Sequence, residues 1–239
     1  MNRKACDQSS VALKLLTIQT ATPAGSVALT AGEHLLAELF FDCHRPHGSW
    51  LIAAVDRLCR EVGLTAGDLD GFGVTVGPGS FTGLRVGLAT IKGLALATGK
   101  PVAGVSTLQT LAMQAPHAAL PVCAVLDARK QEVYASSYQW QEGWPRPLAG
   151  ERVLPPEQLL AGFSGDVLFV GDGARVYRTL ITRQLGSRAH FLPAAYDPPR
   201  AAHAALLALR AFAAGAAQPA AAVNPFYIRP SEAELNLGR

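Results

Sequence analysis

Residues 77–95 read GPGSFTGLRVGLATIKGLA and form the most distinctive stretch of the chain. They join a predicted strand at 71–76 to a predicted helix at 84–98. The glycines of the first segment permit a sharp turn that residues with a Cβ atom resist. Ser80 or Thr82 can accept hydrogen bonds from the first free N–H groups of the helix. The same N–H groups suit an anion, so the stretch is either a tight structural cap, which we favour, or a phosphate-binding turn.

Two common nucleotide-binding motifs do not fit this stretch. A dinucleotide-binding fingerprint needs G-x-G-x-x-G, followed about 20 residues later by an acidic residue. The glycines here are spaced G-x-G-x-x-x-G, and position 100 is Lys. A P-loop needs four residues between its glycines before Lys-Ser/Thr. Here five residues separate Gly93 from Gly99, and Pro101 follows the lysine.

The segments around this stretch predict two similar halves. Short apolar runs within 14–41 are typical of three strands in an antiparallel meander. A helical apolar stripe at 49–63 follows, so that the first half reads βββαβαβα. The second half opens in the same way, with strands predicted at 121–126 and 132–140. In both halves the first strand ends in a polar residue and a turn.

Duplicated βββαβα units resemble the architecture of the actin, sugar-kinase and Hsp70-ATPase superfamily, an α/β fold with two lobes around a central cleft. In that superfamily the first strands of the two lobes face each other and hold nucleotide phosphates. We therefore predict a flexible N-terminal extension at 1–13, a first lobe at 14–116 and a second lobe at 117–239. A fold alone does not give a function.

The composition describes a globular chain. It has 239 residues, of which 49% are hydrophobic and 16% charged, with a net charge of +3. These values exclude disorder, and no apolar run reaches the ~18–20 residues that a membrane span needs. No signal-peptide pattern follows Met1, and the cysteines lack a Cys-x-x-Cys spacing, so we expect a cytoplasmic protein without membrane contact. The Lys and Arg residues are spread along the chain, which does not support direct nucleic-acid binding.

The central stretch, continued by VSTL at 105–108, closely resembles the bacterial TsaB (YeaZ) family. Further matching segments are LLTIQTATPAGSVAL at 15–29, His47, LDAR at 126–129, EVY at 132–134, GDG at 171–173 and PFYIR at 225–229. The resemblance runs from about residue 14 to residue 229.

The resemblance implies a non-catalytic subunit of the machinery that makes threonylcarbamoyladenosine in tRNA, at the adenosine next to the anticodon. Proteins of this family pair with a paralogue, TsaD, which carries the metal, the nucleotide and the catalytic site, and the ATPase TsaE joins the pair. We therefore expect this chain to have no cofactor of its own and to meet tRNA only through the complex. A homodimer of the free chain is an open alternative.

Gln19 departs from the family, which usually has Asp at this position. In phosphotransferases of this fold the acidic residue helps to organise Mg²⁺ and the attacking water. A neutral amide is neither a carboxylate base nor a strong ligand for a hard cation. Together with Asp127, Gly171 and Asp172, Gln19 is predicted to line a vestigial cleft. Alternatively, the two aspartates only bond the N–H groups of their turns.

Two helices of the first half are predicted to bind the partner. The helix at 84–98 has one face of small residues and one of apolar residues, and a helix with two such faces is buried on two sides. The resemblance implies that both helices meet the matching pair of TsaD in a four-helix interface; ordinary packing inside the domain is the alternative. The predicted interface residues are His47, Trp50, Leu51, Ala54, Phe81, Thr82, Leu84, Arg85, Gly87, Leu88 and Ile91. Leu84→Asp or Gly87→Trp should then abolish the complex and leave the isolated chain folded.

Other functions remain open at this point. The duplicated lobes are also compatible with a stand-alone ATPase or kinase, against which Gln19 and the lack of a second phosphate loop argue. A peptidase would need a metal cluster or a nucleophile elbow of the G-x-S-x-G type, and neither occurs. His44 and His47 lie three residues apart, but no further ligand stands at metal-binding spacing. Cys43 and Cys59 have no assigned histidine partner.

Overall fold

The structure, a computed structural model, describes residues 12–42 and 45–229. The predicted extension at 1–13 therefore lies almost wholly outside the described residues. The helices and strands of the first half are β1 (Lys14–Gln19), β2 (Gly25–Ala31), β3 (His34–Phe41), α1 (Leu51–Val62), β4 (Gly71–Gly77), α2 (Phe81–Thr98), β5 (Val102–Ser106) and α3 (Thr107–Ala112). Those of the second half are β6 (Val122–Asp127), β7 (Val133–Gln141), β8 (Trp144–Pro147), β9 (Arg152–Leu154), α4 (Pro156–Leu160), β10 (Val167–Val170), α5 (Asp172–Val176), α6 (Arg178–Leu185), β11 (Ala189–Phe191) and α7 (Ala201–Ala213).

The first sheet has the strand order β3-β2-β1-β4-β5. β1 is antiparallel to β2, where Ile18 lies opposite Val27, and parallel to β4, where Ile18 lies opposite Val74. Parallel strands need long crossover connections, which are usually helices, and α2 makes this connection between β4 and β5. α1 and α2 pack on the same face of the sheet, in a core that includes Leu58 and Ile91.

The second sheet repeats this pattern, with the strand order β11-β10-β6-β7-β8 and with β9 paired to β7. β6 is antiparallel to β7 and parallel to β10, as β1 is to β2 and β4. The helices α4, α5 and α6 cover one face through a core that includes Phe169 and Ile181. Two lobes with the same strand pattern confirm the predicted duplicated fold of the actin, sugar-kinase and Hsp70-ATPase superfamily.

Helices α3 and α7 exchange lobes and form the layer between the two sheets. Leu108 of α3 packs against the second sheet, whereas Ala208 of α7 packs against the first. The small side chains of α7 let it approach β4 closely, since a Cβ atom at Gly73 would lie 2.9 Å from that of Ala208. The last helix of each half thus packs on the sheet of the other half, and the division into lobes at 14–116 and 117–239 stays a prediction.

Three local features differ from the sequence prediction. α2 begins at Phe81, three residues earlier than predicted, because Ser80 caps the helix by accepting an N–H of its first turn. The sequence pattern at 174–185 predicts a single helix, whereas the structure has two helices, which meet at Tyr177, where ψ is 15°. The Gly- and Pro-rich stretch at 143–150 is typical of a connection, but it contains β8. Its prolines are tolerated because β8 is an edge strand.

Two expectations about the environment of the chain can be compared with the structure. Within residues 12–42 and 45–229, no helix has both the length and the apolar character that crossing a membrane requires. In the same part of the chain, Cys59 and Cys123 are free and buried, as expected for reduced thiols.

Candidate functional site

The glycine-rich turn before α2 is held against the turn between β1 and β2. Ser80 accepts the N–H of Gly83 at 3.2 Å, and its own N–H donates to the carbonyl oxygen of Ala21 at 2.7 Å. The Thr20 hydroxyl donates to the carbonyl oxygen of Gly83 at 2.8 Å. A Cβ atom at Gly83 would lie 2.1 Å from the carbonyl oxygen of Thr20, so a side chain does not fit there. These contacts favour the interpretation of this turn as a structural cap rather than as a phosphate-binding turn.

The inner face of α2 is buried in the first lobe. A Cβ atom at Gly87 would lie 2.2 Å from the hydroxyl oxygen of Thr20, and Leu84 is 1% exposed. The predicted interface residues that are buried are Trp50, Leu51, Ala54, Leu84, Gly87, Leu88 and Ile91. The expectation that Leu84→Asp or Gly87→Trp leaves the chain folded is therefore corrected, because both changes would disrupt the core.

The exposed face of α2 is mostly small and apolar, whereas that of α1 is apolar only at its start and continues with charged residues. Leu96 of α2 is 74% exposed and Ile52 of α1 is 59% exposed. The small residues Ala89, Gly93 and Ala97 are also exposed and lie on one face of α2, because residues four apart on a helix are neighbours. We call these five residues the outer helix surface. Most of the side chains first predicted for the interface lie on the opposite face and point into the core, so their role in partner binding stays a prediction.

The remaining predicted interface residues lie around the N-terminal end of α2. Thr82 is exposed, and the guanidinium of Arg85 lies 3.8 Å from the centroid of the Phe81 ring. Both residues of this pair contact Tyr227: its ring lies 4.9 Å from that of Phe81, and its hydroxyl accepts a 3.1 Å hydrogen bond from Arg85. His47 Nε2 donates to a carbonyl oxygen of the β1–β2 turn at 2.9 Å. This part of the surface is thus occupied by contacts within the chain.

A cavity of about 580 Å³ lies between the two lobes. The turns that follow β1 and β4 form its first-lobe wall, and the turn after β6 and the start of α5 form its second-lobe wall. Its charged and histidine side chains are His47, Asp127, Arg129, Asp172 and Arg229. The predicted cleft is therefore present, and the structure brings both aspartates to it. Gln19 and Gly171 are not part of its lining.

Gln19 is fully buried next to the cleft. Its side-chain nitrogen donates to the carbonyl oxygen of Pro199 at 2.9 Å, and its side-chain oxygen accepts the N–H of Ala21. An aspartate could not donate to that carbonyl group, which gives a physical reason for glutamine at this position. Because both ends of the amide are used, position 19 does not fit the metal-organising role of this position in phosphotransferases.

The two aspartates of the cleft both accept main-chain N–H groups at or just after the end of β6. Asp172 accepts the N–H of Asp127 at 3.1 Å, and Asp127 accepts the N–H of Arg129 at 2.9 Å. Burial raises the pKa of Asp172. Gly171, with φ of 108°, lets α5 start close to β6, since a Cβ atom there would lie 2.2 Å from the carbonyl oxygen of Val125. The alternative in which the aspartates only bond turn N–H groups fits Asp127, whereas Asp172 links the start of α5 to the end of β6. The assignment of these residues to a vestigial cleft stays a prediction.

The candidate nucleophiles and metal ligands were also located. The described residues contain no group of three or more His, Cys, Asp or Glu side chains that could hold a metal ion. Burial raises the pKa of the Cys123 thiol to about 12 and also raises that of Cys59, so both thiols are protonated at neutral pH. His44 and Cys43 lie outside the described residues, so the predicted weakness of a His44–His47 pair stays a prediction.

The C-terminal segment contributes residues that sequence reasoning missed. Tyr227 and Arg229 line the cavity, and the N–H of Phe226 donates to the carbonyl oxygen of Val76 at 2.7 Å. The signal in the sequence was the PFYIR motif at 225–229, which resembled the family without indicating a role. Its contacts reach residues 97 positions away, and local periodicity carries no information at that distance.

A family comparison agrees with this architecture. Residues 42–237 match the family model of TsaD, described as tRNA N6-adenosine threonylcarbamoyltransferase. The fold and this match define the class: a TsaD-like protein of the actin, sugar-kinase and Hsp70-ATPase superfamily.

Individual relatives identify the family within this class. The tRNA threonylcarbamoyladenosine biosynthesis protein TsaB of Escherichia coli is 37% identical over 174 residues, which are 70% of this chain and 75% of that protein. The protein of the same name from Bacillus subtilis is 29% identical over 233 residues, 93% of this chain and 96% of that protein. A crystal structure described as an uncharacterized protein with similarity to peptidase YEAZ from Pseudomonas aeruginosa superimposes with a TM-score of 0.79 at 34% identity, covering 91% of this chain and 100% of that one. The chain belongs to the TsaB (YeaZ) family.

Proposed function

We propose that this chain is a non-catalytic subunit in the biosynthesis of threonylcarbamoyladenosine in tRNA, and that it pairs with and activates a TsaD-type paralogue. Its relatives from Escherichia coli and Bacillus subtilis are named for this biosynthesis, and the matching family model is that of the threonylcarbamoyltransferase itself. The observation that carries the pairing is the exposed outer helix surface, where Leu96 is 74% exposed.

The outer helix surface suits a helical partner. α2 carries only two charged residues in its 18, and an exposed apolar patch often marks an interaction site. The small side chains of Ala89, Gly93 and Ala97 allow another helix to approach closely, because interaxial distance depends on the side chains at the contact. A paralogue of the same fold presents a corresponding pair of helices, and packing the two pairs together would bury both apolar faces.

The cleft supports a subunit without chemistry of its own. Backbone groups bond both ends of the Gln19 amide, Asp127 accepts an N–H of its own turn, and Asp172 accepts the N–H of Asp127. The nucleotide and the metal would then be held by the TsaD-type partner. This chain would contribute by binding one conformation of that partner more tightly than another, which shifts the partner's conformational equilibrium.

Three further assignments rest on the family. A TsaE-type ATPase joins the pair in the cytoplasm, and tRNA is reached only through the assembled complex. In the absence of the partner, the outer helix surface is free for self-association into a homodimer.

Affinity purification of the tagged full-length chain from its native host, with mass spectrometry of the co-eluting proteins, tests the proposal. The expected result is a stoichiometric paralogue of the same fold with a His-x-x-x-His motif. Recovery of the chain alone would contradict the pairing. Calorimetric titration of the isolated chain with Mg-ATP tests the alternative of a stand-alone ATPase or kinase, which tight binding and hydrolysis would support.

A further inference from the structure

Residues 224–229, which we call the clasp, cross the mouth of the cleft and bond to both lobes. On the first-lobe side, the N–H of Phe226 donates to a carbonyl oxygen of β4 at 2.7 Å. The ring of Tyr227 packs on Phe81, and its hydroxyl accepts the hydrogen bond from Arg85. Phe81, the first residue of α2, and Arg85, one turn further on, thus both contact the C-terminal segment.

On the second-lobe side, one arginine makes the contacts. The guanidinium of Arg229 donates to the carbonyl oxygen of Ala128 at 2.8 Å and forms an ion pair with the carboxylate of Glu132. The side chain of Arg229 is 19% exposed and that of Glu132 is 33% exposed. Because both groups are partly shielded from water, the pair is less screened than a fully exposed one.

The two residues that Arg229 bonds are the ends of a left-handed turn. Residues 129–131 have φ angles of 59°, 53° and 59°. Residues with a Cβ atom avoid this region because the Cβ crowds a carbonyl oxygen. Within the turn, the N–H of Ala128 donates to the carbonyl oxygen of Glu132 at 3.0 Å. Arg229 therefore bonds both ends of a turn whose backbone conformation is unfavourable.

The position of the clasp links two distant features. The left-handed turn lines the cleft from the second lobe, and Phe81 lines it from the first. Only Ile228 separates Tyr227 from Arg229, so the two side chains of the clasp cannot move far independently of each other. A displacement of Tyr227 from α2 would therefore withdraw Arg229 from the turn. Likewise, a displacement of Arg229 from the turn would withdraw Tyr227 from α2.

We propose that the clasp is a conformational device that couples the N-terminal end of α2 to the turn after β6. With the clasp in place, the turn keeps its left-handed backbone conformation and the two lobes are held together at the mouth of the cleft. When the clasp is displaced, the turn relaxes to more favourable backbone conformations and the lobes are released from each other at the mouth. The device is a property of this chain alone and does not depend on the proposed function.

Hydrogen–deuterium exchange of the full-length chain, read by mass spectrometry, tests the coupling. Arg229→Gln should accelerate exchange roughly ten-fold in residues 127–132, which it contacts, and also in residues 81–85, which it does not contact. Tyr227→Ala, which changes the first-lobe side of the clasp, should accelerate exchange in the same two segments. Exchange in β1 and β2 should not change in either variant.

Arg188→Gln is the matched control. Arg188 also donates to main-chain carbonyl oxygens, those of Phe163 and Ser164, but it does not cross between lobes, so residues 81–85 should be unaffected. Acceleration confined to the segment that each changed residue contacts would overturn the coupling. If Arg229→Gln accelerates exchange throughout the chain, Tyr227→Ala replaces it, and the same comparison of the two segments decides.

Discussion

The side-chain amide of Gln19 donates a 2.9 Å hydrogen bond to the carbonyl oxygen of Pro199, 180 positions further along the chain. The bond joins the end of β1 to the segment that enters α7. A second bond follows directly, since the N–H of Ala201 donates to the hydroxyl of Ser26 at 2.7 Å. A position that serves metal chemistry in phosphotransferases of this fold here anchors the helix between the two sheets.

Gln19→Glu should destabilise the chain. A carboxylate would place a negative charge against the carbonyl oxygen of Pro199 in a fully buried position, and the loss should be at least about 2 kcal/mol in the free energy of unfolding. Urea unfolding at pH 7 measures it. Gln139→Glu is the control, because the amide of Gln139 bonds the carbonyl oxygen of Ala119 at an exposed position, and it should change stability by less than about 0.5 kcal/mol. Equal stability of the two variants would contradict the anchoring role of Gln19.

Gly87→Ala and Gly93→Ala should have effects of opposite sign, although both glycines lie inside α2. A Cβ atom at Gly87 would lie 2.2 Å from the Thr20 hydroxyl oxygen, whereas at Gly93 it meets nothing within 4 Å. We expect Gly87→Ala to cost about 1–3 kcal/mol through overpacking. Gly93→Ala should gain about 0.5–1 kcal/mol, because alanine favours a helix over glycine. Thermal or urea unfolding of the two variants measures both changes, and a gain in stability for both would show that the inner face has room.

The free energy of unfolding should decrease as the pH rises above the range in which free glutamate side chains titrate. Glu151 should contribute to this decrease. Burial raises the pKa of Glu151, and hydrogen bonds from Ser106 and Tyr138 oppose the shift only in part. The folded chain thus keeps this proton to a higher pH than the unfolded chain, whose glutamates titrate near about 4.3. The folded state binds more protons in that window, so stability decreases as the pH rises through it.

Glu151→Gln removes this contribution and should flatten the dependence of the urea midpoint on pH between about 4 and 7. The slope should not vanish, because burial also raises the pKa values of Asp172 and Asp197. Glu157→Gln, at an exposed position of α4, should leave the slope as in the wild type. An unchanged slope in Glu151→Gln would show that this carboxyl titrates alike in both states.

Local chemistry made much of the first lobe predictable. Strands β1 and β2 and the cap of the 77–83 turn depend on residues that are close together in the sequence. The structure has these features as predicted. Ser80 caps α2, and Ser106 caps α3 by accepting the N–H of Gln109 at 3.0 Å. Such caps depend on side chain and backbone within one helical turn, so a single sequence contains them.

The orientation of α2 could not be predicted in the same way. The sequence divides the helix into a face of small residues and an apolar face, but in the structure the buried face takes residues from both, for example Gly87 and Leu88. Gly87 and Gly93 look alike in the sequence and differ because Thr20 lies against only one of them. The lobe exchange of α7 and the contacts of Arg229 likewise depend on residues far apart in the chain, where local patterns carry no information.

The most direct test of the central claim is calorimetric titration of the purified chain with its purified TsaD-type paralogue. Leu96→Asp changes a side chain that is 74% exposed, and Leu148→Asp changes one that is 56% exposed in the second lobe, so both variants should stay folded. The account predicts that Leu96→Asp weakens binding by about 30-fold or more, roughly 2 kcal/mol, as for a buried interface residue. Leu148→Asp should bind as the wild type does. Wild-type affinity in the Leu96→Asp variant would contradict the assignment of the outer helix surface to the partner.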